Sequence, residues 1–200
     1  MKIYSYIVTT DTGFAPNPFH GHLTLACCKP QIRRTAQIGD WVVGLSKRSE
    51  HVVYAMRVAE KLSFHQYWSD PRFESKRPDK ASRMPTVRRG DSIYEPFGLG
   101  TFRQLRSSHS QKNGTEDVTA MKHDLGGRHV LVGVEFVYFG GAGPRLPTAL
   151  EFLQVGRGHR CRFTQEQVET FLAWVSNQPR GIQRRPAKWP VDDDSWRESL

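Results

Sequence analysis

Cysteine is scarce in this 200-residue chain: there are three, and two of them, Cys27 and Cys28, are neighbours. An odd number containing an adjacent pair excludes a framework of structural disulfides, so free thiols are expected. The adjacent pair also lacks the C-x₂₋₄-C spacing that sets two sulfurs on one zinc tetrahedron, and His159 with Cys161 adds only one more pair of ligand types. His20 and His22, on one strand face, read as two exposed histidines. No metal and no cofactor is expected. Long apolar runs are missing as well, none approaching the roughly 20 residues that a membrane span requires. Met1–Thr10 carries one lysine and then a polar-interrupted, alternating run, which reads as a strand and not as an export signal. A cytoplasmic location with no membrane partner is the expectation. Signature catalytic loops are absent too: there is no G-x-x-x-x-G-K-[ST], no H-x-E paired with P-C-x-x-C, and no G-x-S-x-G. Gly140–Gly143 runs into Pro144 and no helix, so it is no dinucleotide fingerprint.

Acidic side chains are also in short supply, 20 Asp and Glu against 29 Lys and Arg, a formal net charge of +9. That surplus favours polyanions, because Lys and Arg supply the sequence-independent part of phosphate binding; the alternative is a basic protein with a merely solvated surface. The imbalance concentrates in residues 76 to 89, where Lys76, Arg77, Lys80, Arg83, Arg88 and Arg89 face the single acid Asp79. A mobile basic loop is expected there.

Hydrophobic patterning gives the element order. Residues 2 to 9 alternate as a strand, His22–Cys28 as a shorter one, and Pro30 stands where a first helical position would be, with a stop at Gly39. Trp41–Leu45 reads as a buried strand and His51–Leu62 as its hairpin partner. A helical turn ended by Asp70-Pro71 collects Phe64, Tyr67 and Trp68 on one side. Residues 74 to about 127 are the least regular third. His129–Phe139 is an apolar strand through the core. Thr164 and Gln167 form a capping-box pair before a helix with Val168, Phe171, Leu172 and Val175 at helical spacing. One domain over 1–176 follows, with 177–200 as an extension in which Trp189 and Trp196 are possible docking points.

Three stretches carry a resemblance: Phe14–Phe19 followed by Cys28–Arg33, then Ile38–Gly44, then Gly90–Pro96 with Glu135–Gly140. Together, over roughly residues 2 to 155, they resemble the bacterial and phage family called nucleotide modification associated domain, second type. That resemblance implies an association with DNA base-modification enzymes, and no particular activity. More broadly, the order strand, short helix at Ile32–Arg34, strand from Gly39, and aromatic-Asp-Pro at Tyr67–Pro71 looks like the EVE and YTH branch of the PUA-like fold. This implies an α+β fold built on a small mixed or antiparallel β-barrel, with a pocket for one base, often modified. The chain departs from the EVE pattern at Cys27–Pro30, where a tryptophan-containing approach is usual.

A base pocket needs π faces, groups for the base edge, and cations for flanking phosphates. Asn17, Phe19, Tyr67, Trp68, Asp91 and Tyr94 are the candidate base-binding residues; core aromatics and turn residues are the competing assignment. Lys29, Arg33 and Arg34 at the short helix, with Arg83, Arg88 and Arg89 of the basic loop, are the candidate phosphate contacts. The leading reading is a domain that binds DNA, RNA or a modified nucleotide through a flipped or modified base. A second is a base- or nucleotide-modifying enzyme using Asp91, Glu95 or Glu135 as general acid or base. A third is a scaffold of a modification or defence complex.

Overall fold

The computed structural model describes residues 1–98, 100–190 and 192–199, and over them the chain is α+β. Its largest element is a mixed six-stranded sheet: β1 (Ile3–Ile7), β3 (Trp41–Leu45), β4 (Val52–Arg57), β9 (Phe136–Tyr138), β10 (His159–Arg160) and β11 (Gly181–Ile182), in the order β10-β1-β3-β4-β9-β11. β1 runs parallel to β3 and β9 parallel to β11; the other pairs are antiparallel. Alternation along each strand puts side chains on opposite faces. Tyr4, Tyr6, Val42, Tyr54, Met56 and Tyr138 line one face. Ile3, Trp41, Val43, Ala55 and Val137 line the other and pack against α5 (Gln165–Ser176). The expected capping box at Thr164 and Gln167 starts that helix, and Phe171 meets Trp41 edge-on at 5.5 Å.

A second, antiparallel sheet has the order β2 (Leu23–Leu25), β8 (His129–Gly133), β5 (Glu60–Ser63). The apolar run 129–139, expected as one strand, supplies β8 here and β9 to the six-stranded sheet. Its neighbour 51–62 divides in the same way into β4 and β5. Both segments cross together, Arg57 N–H donating to the Glu135 carbonyl (2.9 Å) and Ala59 N–H to that of Val132 (2.8 Å). Periodicity alone cannot mark such a crossing, because both halves stay apolar. The sheets do not close into a barrel among the described residues, so only the α+β part of the expected architecture holds.

The stretch 74–127 is more ordered than its composition suggests. A 3₁₀ turn (71–76) and α3 (Pro85–Arg88) precede the hairpin β6 (Tyr94–Gly98) and β7 (Thr101–Gln104), and then comes α4 (Val118–Leu125). α1 (Pro30–Thr35) and α2 (Phe64–Ser69) complete the helices, the latter held by a Ser63–Gln66 capping box. Residues beyond 176 add β11 to the sheet, while Trp189 packs on Phe19 at 5.2 Å and Trp196 is buried.

Candidate active site around Cys28

β2 leads into the turn Cys28-Lys29 and then α1. Both turn residues adopt left-handed backbone (φ 60° and 44°), a conformation that costs non-glycine residues about 1–3 kcal/mol each and persists only where neighbours enforce it. The enforcement is specific. The Cys28 N–H donates to Asp124 Oδ1 (2.7 Å), and the Cys28 carbonyl accepts from Arg33 Nε (2.7 Å). Arg33 is fully buried and also donates through Nη1 to the His129 carbonyl (2.9 Å) and through Nη2 to that of Asp124. Gly127 makes room for it: a Cβ there would stand 2.5 Å from the guanidinium carbon.

Asp124 sits in the last turn of α4, whose start is fixed by Asp117 accepting from Ala120 N–H at 2.9 Å. Its carboxylate is completely buried and accepts three bonds: Cys28 N–H on Oδ1, and on Oδ2 both His109 Nδ1 (2.6 Å) and the Tyr94 hydroxyl (2.7 Å). His109 comes from the loop after β7. With Nδ1–H given to the carboxylate, Nε2 faces Cys28 Sγ at 3.6 Å. Thiol, imidazole and carboxylate thus form one line in which the ring is oriented by an acid and aimed at a sulfur.

The electrostatics follow. Burial opposes charge on His109, but the hydrogen bonds to Asp124 and Cys28 and the charge of Asp124 prevail and lift its pKa to about 10. Burial likewise opposes ionisation of Asp124, yet the His109 contact, the Tyr94 hydroxyl and the Cys28 N–H hold its pKa below the usual value. The line opens on a cavity of about 520 Å³ whose wall includes Cys28, His109, Lys29, Tyr6 and Phe14. Phe14 presses edge-on against the His109 ring at 5.0 Å.

Cys27, His109 and Asp124 have ligand atoms within 4.8 Å of one another, a donor set suited to zinc. The arrangement already spends those atoms, however. His109 Nδ1 and Asp124 Oδ2 are bonded to each other, and the Cys27 thiol, its pKa pushed up by burial, points at the Asp91 carbonyl at 3.6 Å.

A second polar network lies wholly inside. Lys76, read from the sequence as part of a solvated basic loop, is fully buried and donates to Asn17 Oδ1 (2.7 Å), the carbonyls of Asn17 and His22, and Thr24 Oγ1. Burial drives its pKa down to about 7 against the opposing charge of Asp91. Asp91, also fully buried, accepts from Tyr67 (2.6 Å) and Thr24 (2.8 Å). Gly90 is required beside it, since a Cβ there would stand 2.1 Å from the Lys76 carbonyl oxygen.

Of the base-binding candidates, Asn17, Tyr67 and Asp91 come together in this interior network, and Phe19 is buried against Trp189. Tyr94 is buried behind His109. Trp68 is half-buried under the Arg77 guanidinium, 4.4 Å from its ring. Among the phosphate candidates, Lys29 lines the cavity, Arg33 is an interior strut, and Arg34 is exposed and bonded to Gln31. Arg83 and Arg88 are exposed, and Arg89 lies 4.3 Å over the Trp189 ring. The acids considered for catalysis are engaged elsewhere, Glu95 with Arg103 and Glu135 with Arg57 and Arg180. Cys28, His109 and Asp124 escaped the sequence reading. Cys28 and His109 are 81 positions apart and Cys28 and Asp124 are 96 apart, and no spacing rule joins them.

Fold and site define an α+β domain with an acid-oriented imidazole facing a thiol at the wall of a cavity. The chain belongs to the family described as nucleotide modification associated domain 2, whose model matches residues 1–193. No curated protein and no solved structure matches it.

Proposed function

We propose that this domain carries out covalent thiol chemistry, acyl transfer or acyl hydrolysis, on a nucleotide or on a group attached to one. The observation that carries the reading is the Cys28–His109–Asp124 line at the cavity wall. His109 is already the imidazolium, so Cys28 Sγ bonds to the electrophilic carbon as the thiolate of a thiolate–imidazolium pair. The imidazolium, steadied by Asp124, gives its Nε2 proton to the leaving group. Water or an amine then attacks the thioester, gives its own proton to the neutral Nε2, and expulsion of the thiolate restores the pair. The family supports a role linked to nucleotide modification, and the chemistry fits either adding an acyl group to a base amine or removing one.

A second reading, that the cavity only holds a modified base as the EVE and YTH resemblance implies, is favoured by Tyr6 and Phe14 on its wall. In either reading Arg83 and Arg88, with Lys80, Arg89 and Arg106, supply contacts for a polynucleotide backbone. Burial lowers the Lys80 pKa, and Arg88, Arg89 and Arg106 lie near enough to lower it further.

Alkylation separates the two readings, and Cys161, half-buried like Cys28, is the internal control. Iodoacetamide should modify Cys28 well ahead of Cys161 at neutral pH, and His109→Gln should slow Cys28 by about 10²-fold. Equal labelling of the two thiols, or an unchanged rate in His109→Gln, would leave the base-holding reading as the better one.

A further inference from the structure

We propose that the cavity beside Cys28 takes a nucleoside bearing a phosphate, and that Lys29 and His159 hold the phosphate. This rests on the reading above, because it names the substrate class of the same site. The side chains that can carry positive charge on the cavity wall are Lys29, His109, His123 and His159, and no Asp or Glu is among the lining residues. The Asp124 carboxylate lies behind them, fully buried and occupied by three donors.

Lys29 is the informative one. Among the described residues its ammonium has no hydrogen bond and no ion pair, and it is held 4.7 Å over the Tyr6 ring. Half-burial lowers its pKa, with the Cys28 thiol as the only opposing influence. His159, whose ring lies 6.0 Å from that of Tyr4, has its pKa lowered by burial and then by the charge of Lys29. Two basic side chains at one cavity wall with no acid between them, one half-buried and the other with its charge further disfavoured by the first, are relieved by an anion that bonds to both. A phosphate monoester meets that demand better than a carboxylate, since it carries close to two negative charges at neutral pH and three acceptor oxygens. Thr9, Thr10, Thr12 and Ser108 add neutral hydroxyls along the same wall, and Tyr6 and Phe14 add ring surface for a base. A volume of about 520 Å³ is that of a small-molecule site.

The phosphate can belong to a free mononucleotide or to the end of a strand, so both are titrated. Calorimetry compares the common nucleosides, their 5′-monophosphates, inorganic phosphate, and a short oligonucleotide with and without a 5′-phosphate. Wild-type protein should bind at least one monophosphate about tenfold or more tightly than its nucleoside. Lys29→Gln should erase that difference while leaving the nucleoside affinity in place, His159→Gln should reduce it, and Lys29→Arg should retain most of it. Cys28→Ala deletes the nucleophile but leaves Lys29 and His159 in place and should keep the preference for monophosphate over nucleoside, so a failure of the thiol chemistry is distinguishable from a failure of the phosphate site. A preference seen only with the oligonucleotide assigns the phosphate to a strand end and supports the proposal. Equal affinity for nucleoside and monophosphate in wild type, no binding of any probe, or an undiminished preference in a folded Lys29→Gln protein overturns it.

Discussion

Asp91 and Asp124 are both completely buried carboxylates, both accept a tyrosine hydroxyl, and both act electrostatically on the Cys27 thiol. Their charge states are driven in opposite directions. Burial raises the Asp91 pKa despite Lys76, Tyr67 and Thr24, and the lysine it faces is itself pushed toward neutrality. Asp124 has its pKa lowered, and the histidine it touches is pushed toward the cation. The Lys76–Asp91 network is enclosed and its partners are all protein groups. In the Asp124 line the last member, Cys28, reaches a cavity. A closed network of this kind serves stability, because its polar groups would be costly to leave unpaired. An open line keeps a charged, oriented imidazolium where a ligand can meet it.

The largest expected effect breaks the closed side. Asp91→Ala removes the acceptor of Tyr67 and Thr24 and the nearby charge that favours the Lys76 ammonium, and leaving the two buried hydroxyls unpaired costs about 1–3 kcal/mol each. Against a total stability of roughly 5–15 kcal/mol, denaturant unfolding should show a severely weakened or unfolded protein. A fully stable Asp91→Ala domain would mean that the network carries little of the fold.

Next is pH, where the two sites have opposite signs. Lys76 falls from the ordinary lysine value of 10.5 to about 7 on folding. Between those values the unfolded chain binds more protons, so this group makes stability rise with pH from about 7 to 10.5. His109 rises from 6.5 to about 10. Its contribution is complete below 6.5 and is lost as pH climbs through about 10. Melting temperatures from pH 7 to 10 should therefore diverge: relative to wild type, Lys76→Met should lose ground as pH rises and His109→Gln should gain. Difference curves of the same sign would show that the two sites are not opposed.

What was legible in the sequence follows the same division. Elements governed by local signals stand where expected: Pro30 opens α1, Asp70-Pro71 ends α2, and the Thr164–Gln167 box starts α5. Trp41, Val42 and Val43 are buried as their pattern demands. The sheet crossings at 57–60 and 133–136 were not legible, because apolar strands look alike on either side of a jump. Lys76 looked like a loop cation because composition counts charge without regard to depth. The sequence marks Cys28 as a free thiol with the wrong spacing for a disulfide or a zinc site, and not as a nucleophile, since its partners come from the stretch whose composition is least regular. A loop histidine in Ser107-Ser108-His109-Ser110 bears no local mark of an aspartate fifteen positions on.

The smallest effect is the sharpest test, since it uses the same substitution on both sides. Tyr67 and Tyr94 each donate a hydroxyl to a buried aspartate, at 2.6 and 2.7 Å. Replacing either with Phe keeps the ring packing and deletes one hydrogen bond to an acidic group, a loss of about 1–3 kcal/mol in folding stability. The stability losses should be similar. Their consequences for Cys28 should not be. Without Tyr94, the Asp124 charge is shared by one donor fewer, so it becomes a stronger acceptor for His109 and holds the imidazolium more firmly. The pH profile of Cys28 alkylation should then move upward at its histidine limb by roughly half a unit, the equivalent of under 1 kcal/mol. Tyr67→Phe acts on Asp91, which does not touch His109, and should leave that profile where wild type has it. The readout is the alkylation rate of Cys28 against pH in both variants, with Cys161 as reference. If Tyr67→Phe moves the profile as much as Tyr94→Phe does, the enclosed network and the open line behave as one coupled site, and the division between them fails.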